Sequence, residues 1–235
     1  MPAQPHFSPA FFKFLNGLAR NNTREWFLAN KKSYEADVKA PMLQFITDLK
    51  PRMAKISRHI DVDPKPVGGS MQRMNRDTRF SKDKSPYKTN VGAMFALDGA
   101  GDLMLGYHLS LMPGDKGPQI KAYVGIWEPD GPTIEKIRTR IMVKPDEWAK
   151  ATGGSFAKCH VFEGESLKRP PKVGDFAVKE DHPLIDDLKR KSHAACAEFD
   201  EKAACSAGFI DEYVEIVKLV SPLMTFLCKA TSVAF

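Results

Sequence analysis

The chain has 235 residues, 43% of them hydrophobic, enough to bury one full core and too few to require more than one or two domains. No apolar run approaches the roughly 18 residues that a membrane-spanning helix needs, and Met1 to Ser8 lacks the apolar stretch and small-residue cleavage site of a secretory leader. The expectation is a soluble, cytoplasmic protein with no membrane partner, and the net charge of +6 adds that it is no general polycation.

The first elements are helical. Ser8 followed by Pro9 reads as a side-chain cap and an N-terminal proline, with Phe11, Phe12, Leu15 and Leu18 as the apolar stripe. Asn21 and Asn22 end it. Thr23 is placed to cap a second helix carrying Trp26, Phe27, Tyr34 and Val38, and Pro41 to open a third with Phe45, Leu49, Met53 and Ile56, which Pro51 should kink or split.

After a linker at 61–69 the period changes from helical to alternating. Leu103, Leu105, Tyr107, Leu109 and Leu111 alternate with Met104, Gly106, His108, Ser110 and Met112, which is the clearest strand in the chain. Val91, Ala93, Phe95 and Leu97 precede it across the turn 98–102, and Ile120, Ala122, Val124 and Ile126 follow it across 113–118. The pattern predicts an antiparallel meander. Its less apolar face carries Gly92, Gly106, Ser110 and Gly125, and glycine inside a strand marks a bulge or the close approach of a backbone or ligand. A helix packed closely on that face is the expectation, because sheets bury a face against helices.

Pro132 opens a further helix with Ile134, Ile137 and Ile141 inward and Arg138 and Arg140 left for solvent. Residues 153–180 read as irregular and include Leu167-Lys168-Arg169-Pro170-Pro171-Lys172, extended because two of its residues precede prolines. A short helix from Pro183 to Lys189, a strand at 193–199, and a helical pattern through Ile210, Val214, Val217, Leu223, Met224 and Leu227, interrupted at Ser221-Pro222, complete the chain. The fold class is α+β, one domain over 1–235, with a helical part at about 8–60, the sheet at about 70–128 and helices and loops at about 131–230.

Four cysteines, Cys159, Cys196, Cys205 and Cys228, form no C-x-x-C pair and read as free thiols. The six histidines have no metal-ligand spacing, and Cys159 beside His160 reads as coincidence, so no metal or cofactor is assigned. Phosphate loops, nucleophile elbows and dinucleotide fingerprints are absent. His108 beside Ser110 lacks a third partner for nucleophilic catalysis and reads as structural.

The chemically dense segment is 73–88, Arg-Met-Asn-Arg-Asp-Thr-Arg-Phe-Ser-Lys-Asp-Lys-Ser-Pro-Tyr-Lys. Arg73, Arg76, Arg79, Lys82, Lys84 and Lys88 are opposed only by Asp77 and Asp83, so these residues carry +4 and the rest of the chain +2. Guanidinium forks suit phosphate or carboxylate oxygens, and a carboxylate between two arginines holds both rigid. The segment resembles the signature of a mainly bacterial family, domain of unknown function 2461. The likeness extends to Asn21-Asn22-Thr23-Arg24-Glu25-Trp26-Phe27, Gly125-Ile126-Trp127-Glu128-Pro129, Ile137-Arg138 and 167–171. The resemblance implies that Arg73, Arg76, Asp77, Arg79, Phe80, Asp83, Lys84 and Tyr87 are family hallmarks, and it implies no reaction.

Three functions compete. In the leading one the segment holds a small phosphate- or carboxylate-bearing ligand through Arg73, Arg76, Arg79, Lys84 and Tyr87, with Lys168 and Arg169 closing from a second loop and Asp77 or Asp83 orienting the arginines or acting as a base. Magnesium held by those two carboxylates has thin support. In the second, the loop tracks nucleic-acid phosphates while Phe80 or Tyr87 stacks on a base. In the third, the Arg and Asp network is architectural, with Phe80 and Tyr87 in the core.

Overall fold

The computed structural model describes residues 4–114, 119–153, 159–161 and 164–235. Helix α1 (Pro9–Arg20) starts at Ser8, whose backbone is extended as an N-cap requires but whose side chain makes no capping bond. Thr23 does cap α2 (Arg24–Ala29), accepting from the Trp26 amide at 3.2 Å. Then the boundaries differ from those the sequence suggests. A turn of helix, α3 (Lys31–Ser33), runs through a π-helical segment (Tyr34–Lys39) into α4 (Ala40–Met53) without a break. Pro41 therefore lies within a longer helical run that already contains Tyr34 and Val38. Its ring would clash with the carbonyl of residue 37, and the wider i→i+5 turn just upstream relieves that clash. Pro51 neither splits nor ends α4 at once, because the helix stops two residues later at Met53.

Strands β1 (Val91–Ala96), β2 (Met104–Met112) and β3 (Gln119–Trp127) form the antiparallel meander, although residues 115–118 of the second turn lie outside the described ones. The chain next makes α5 (Gly131–Val143) and α6 (Pro145–Gly153), a two-residue strand β4 (His160–Val161), and the hairpin β5 (Lys172–Val173) and β6 (Phe176–Ala177). Helix α7 (Ile185–Lys189) leads to β7 (His193–Phe199), then α8 (Glu201–Ala204), α9 (Phe209–Leu219) and α10 (Ser221–Thr231) close the fold. The main sheet has the order β1-β2-β3-β7-β4, all antiparallel. Residues 154–158 and 162–163 of the stretch expected to be irregular lie outside the described residues.

Alternation decides which face is buried. Leu105, Tyr107, Leu109 and Leu111 of β2 are fully buried, as are Ala93 and Phe95 of β1 and Ile126 of β3. Phe95 meets Tyr213 of α9 at 6.2 Å between ring centroids, Tyr213 meets Phe45 of α4 at 5.8 Å, and Phe45 meets Phe7 at 5.3 Å. The aromatic rings thus connect sheet, C-terminal helices and N-terminal helices in one core. The free edge of β1 is occupied by the segment before the signature: Asp61 donates to the Ala96 carbonyl (2.8 Å), Met94 to that of Ser70 (2.9 Å) and Gln72 to that of Gly92 (2.9 Å).

Arg138 is not a solvent-facing residue. It is buried on α5, donating from Nε to the Leu188 carbonyl (2.7 Å) and from Nη2 to the Arg190 carbonyl (3.1 Å) at the end of α7. The helix end lacks donors for its last carbonyls, and the guanidinium supplies them. Arg138→Ala is expected to lower stability by about 2–3 kcal/mol, since hydrogen bonds to a charged group are lost and buried carbonyls left open. Urea denaturation reads this directly, and a change within the roughly 0.5 kcal/mol of ordinary surface substitutions would contradict it.

Candidate functional site

The signature segment folds back on itself. Arg76 donates its amide to the Pro86 carbonyl (2.9 Å), Lys88 donates to that of Met74 (2.7 Å), and Asn75 bridges Tyr87, so the segment's two limbs lie side by side. Tyr87 anchors the second limb. Its ring is buried and stacks on Phe27 at 4.1 Å, while the Asn22 side chain accepts from the Tyr87 amide (3.1 Å) and donates to its carbonyl (2.9 Å). Tyr87, expected to contact a ligand, has its ring in the hydrophobic core against Phe27 of α2.

Most charges beyond that anchor pair with one another. Arg79 grips Asp77 through Nε (3.0 Å) and Nη2 (2.7 Å), and Asp77 also accepts from the Arg79 amide at 3.2 Å. Arg76 pairs with Asp83 and reaches Ser81 Oγ at 3.4 Å, while Asp83 accepts from the Ser85 amide (2.9 Å) and hydroxyl (2.6 Å). Lys84 donates to the Thr78 carbonyl at 2.9 Å. The Arg79 side chain holds the Asp77 carboxyl below the usual range, and the Ser85 hydroxyl, followed by Arg76, holds that of Asp83 well below it. Both acids are thus fixed as anions and engaged within the loop. Phe80 is not a core residue. It is 95% exposed at the tip, with the Arg79 guanidinium 5.8 Å from its ring centre.

Arg73 and Lys88 differ. Among the described residues neither side chain has a hydrogen bond or ion pair. Burial, and then the charge of Arg73, pull the Lys88 pKa down, and Lys88 in turn acts on His108 of β2. Two cations without a direct partner therefore stand near one another at the base of the loop, Lys88 half-buried and acting on the sheet residue His108, Arg73 exposed and acting also on Asp77.

The sheet face they stand beside is open. A cleft of about 280 Å³ is lined by Gln72, Met94, Met104, His108, Tyr123 and Trp127, with Gly106, Gly125 and Ala194 as its floor. Among the described residues no helix contributes to this lining, so the expectation of a helix packed over this face does not hold at the cleft. The floor is a cross-strand row, since Gly106 pairs with Gly125 and Gly125 with Ala194. A Cβ on Gly106 would stand 2.4 Å from the Phe95 carbonyl oxygen, and one on Gly125, whose φ is +143°, only 2.2 Å from that of His193. The glycines let neighbouring strands approach and, lacking side chains, leave space above them.

One wall is the His108–Tyr123 pair, directly opposed in register and stacked at 5.9 Å, and Trp127 meets Tyr123 edge-on at 5.7 Å. His108 Nε2 is buried with no hydrogen-bond partner among the described residues. Burial and then Lys88 lower its pKa to about 4, so at neutral pH the ring is an uncharged imidazole. The cleft combines an aromatic wall, a flat floor and, nearby, the charge of Lys88, which has no counterion among the described residues. That arrangement suits a ring or chain with an anion attached.

The other expected contributors lie elsewhere. Lys168 and Arg169 are exposed, and their run is fixed to the approach to β7 by the Leu167 amide on the Lys189 carbonyl (2.8 Å) and a bridge from Ser166 to Arg190. No hydrogen bond or ion pair joins them to the signature among the described residues. Sequence reasoning missed Gln72, Met104, Tyr123 and Trp127 as a cleft. The available signal was the glycine row, read as a helix-packing face. All four cysteines are free. Among the described residues, His160, Cys196 and Glu198 form the one group of three or more potential metal ligands in mutual reach.

Two predictions follow from the electrostatics. His108 and the buried His193 both hold pKa values near about 4, mainly through burial, against about 6.5 in the unfolded chain. Unfolding therefore takes up protons below pH 6.5, so stability is complete above that value and falls as pH drops toward 4. Between pH 7.5 and 5 the parent should lose about 4 kcal/mol, and His108→Gln about half as much. Chemical denaturation across that range checks it, and equal losses in both proteins would refute the assignment. Arg79→Ala, removing one exposed partner of Asp77, should leave the melting temperature within about 2 °C of the parent.

No curated protein and no solved structure matches the chain. A family profile described as conserved hypothetical protein (DUF2461) matches residues 10–226, which takes in the signature, the cleft and nearly all of the helices. The chain belongs to the DUF2461 family.

Proposed function

We propose that this protein binds a small ligand in which a phosphate or carboxylate is joined to an apolar or aromatic body. The observation that carries the reading is Lys88, a half-buried cation beside Arg73 and His108 with no counterion among the described residues. Like charges held together at a partly desolvated position raise the free energy of the empty protein, and an anion relieves it. Lys88 and Arg73 hold the anionic group, the Tyr123 and Trp127 rings and Met104 receive the body, and Gln72 and His108 offer it polar contacts. Asp77, Arg79, Arg76, Asp83 and Lys84 give the loop its shape, and their mutual pairs take most of their charge out of direct ligand contact.

The roles separate by mutation. Lys88→Met removes an unpaired, partly desolvated charge, so the ligand-free protein should melt at the same or a higher temperature. A ligand at a hundred times its dissociation constant stabilises the parent by about 2.7 kcal/mol, or roughly 5–10 °C for a chain of this size. Thermal melts with inorganic phosphate, nucleoside monophosphates, sugar phosphates and aromatic carboxylates should find such a shift, lost in Lys88→Met and Arg73→Ala and retained in Arg79→Ala. A panel that shifts nothing, or a shift that survives Lys88→Met, would overturn the proposal.

A second reading rests on Phe80, a bare aromatic ring beside Arg79 on a basic loop whose sequence continues through Lys82 and Lys84. There the loop tracks nucleic-acid phosphates and Phe80 stacks on a base. Binding through about four to six phosphates gives a log–log salt slope of roughly −4 to −5, and Phe80→Ala would weaken it. A flat salt response rules this reading out.

A further inference from the structure

Beyond the cleft, the outer face of the sheet ends in a second group of residues. Cys196 and Glu198 are alternate residues of β7 and so share one face, and His160 of β4 is the direct register partner of Cys196. One imidazole nitrogen, the Cys196 sulfur and one Glu198 carboxylate oxygen all lie within 4.8 Å of one another. Sulfur, nitrogen and carboxylate oxygen are the three donor types that zinc accepts. Metal–ligand distances of about 2.0–2.3 Å in a tetrahedron set donor separations of roughly 3.3–3.8 Å, so the group needs to close by no more than about 1.5 Å. Rotation of the exposed Glu198 and His160 side chains covers that.

The surroundings fit the same purpose. Lys121 of β3, the register partner of Glu198, holds Oε1 at 2.7 Å, and among the described residues Oε2 accepts no hydrogen bond. A ligating carboxylate held through its second oxygen is the usual outer support of a metal site. His160 makes no hydrogen bond or ion pair among the described residues, so its ring carries no competing role. Cys196 is buried at the base of the group, whereas His160 and Glu198 are exposed, which leaves the approach open from solvent.

We infer that His160, Cys196 and Glu198 form a binding site for a divalent transition metal of the zinc type, with three protein ligands and a fourth position for water. Binding converts the Cys196 thiol to a metal-bound thiolate and releases one proton to solvent. The site is independent of the anion cleft, although Tyr123, which pairs with Cys196 across the strands, forms part of the cleft wall.

Cobalt(II) titration of the full, reduced chain tests this, because cobalt replaces zinc in such sites and its spectrum reports the ligands. The expected result is one equivalent bound, with a thiolate-to-cobalt charge-transfer band in the near ultraviolet and visible bands of four-coordinate intensity, all displaced by zinc. Cys196→Ser should abolish the charge-transfer band, and His160→Ala, a surface change that cannot unfold the sheet, should weaken cobalt binding at least tenfold. Cys159→Ser should keep the band, since that thiol lies outside the group. No band in the parent, a band surviving Cys196→Ser, or unchanged affinity in His160→Ala would each overturn the site.

Discussion

The pair of hydrogen bonds between the Asn22 side chain and the Tyr87 backbone fixes the relation between the helical N-terminal part and the signature loop. Asn22 stands in the short break between α1 and α2, where its amide can both donate and accept. Tyr87 adds the stacked contact with Phe27, so one residue of the loop is held by polar bonds and by packing at once. Lys88 follows Tyr87 directly. Alternation then turns its side chain the opposite way from the buried tyrosine, toward the sheet face that carries His108. The charge beside the cleft is thus a consequence of how firmly its neighbour is buried.

The loop resolves its own crowding by pairing. Arg79 with Asp77 and Arg76 with Asp83 are exposed or half-exposed pairs, of small value to stability. Their effect is conformational, since each closes a turn of a few residues and together they give the loop a single shape. What pairing cannot neutralise is the excess, because six cations meet two anions. Lys82 discharges its share into solvent. Arg73 and Lys88 keep theirs near the sheet, and local electrostatics there favour an anion.

The strands were legible because their alternation over Leu103 to Leu111 is strict and one face is apolar throughout. Arg138 was not legible. Its acceptors, the Leu188 and Arg190 carbonyls, lie 50 and 52 residues away, and no local pattern announces them. The same distance effect hid the cleft, whose walls come from residue 72 and three strands, and the metal group, in which His160 lies 36 and 38 residues before Cys196 and Glu198. Pro41 misled for the opposite reason. The local rule that proline opens a helix is sound, but a π-helical turn offered another solution that the rule does not consider. The signature's chemistry could be named from sequence, whereas which of its charges are spent internally required the loop's closure in space.

The strip of chain that occupies the edge of β1 has a consequence for the state of the protein at high concentration. An open strand edge offers unpaired amides and carbonyls to any other strand, and sheet proteins aggregate through such edges. Here the bonds of Asp61, Ser70 and Gln72 use up that template. The strip is short, irregular and continuous with the signature loop, so whatever loosens the loop also tends to unzip it. Colloidal behaviour is therefore coupled to the loop's fixation at Tyr87: a variant that frees this anchor would present the backbone groups of Gly92, Met94 and Ala96 along a bare edge, and would associate before it unfolded.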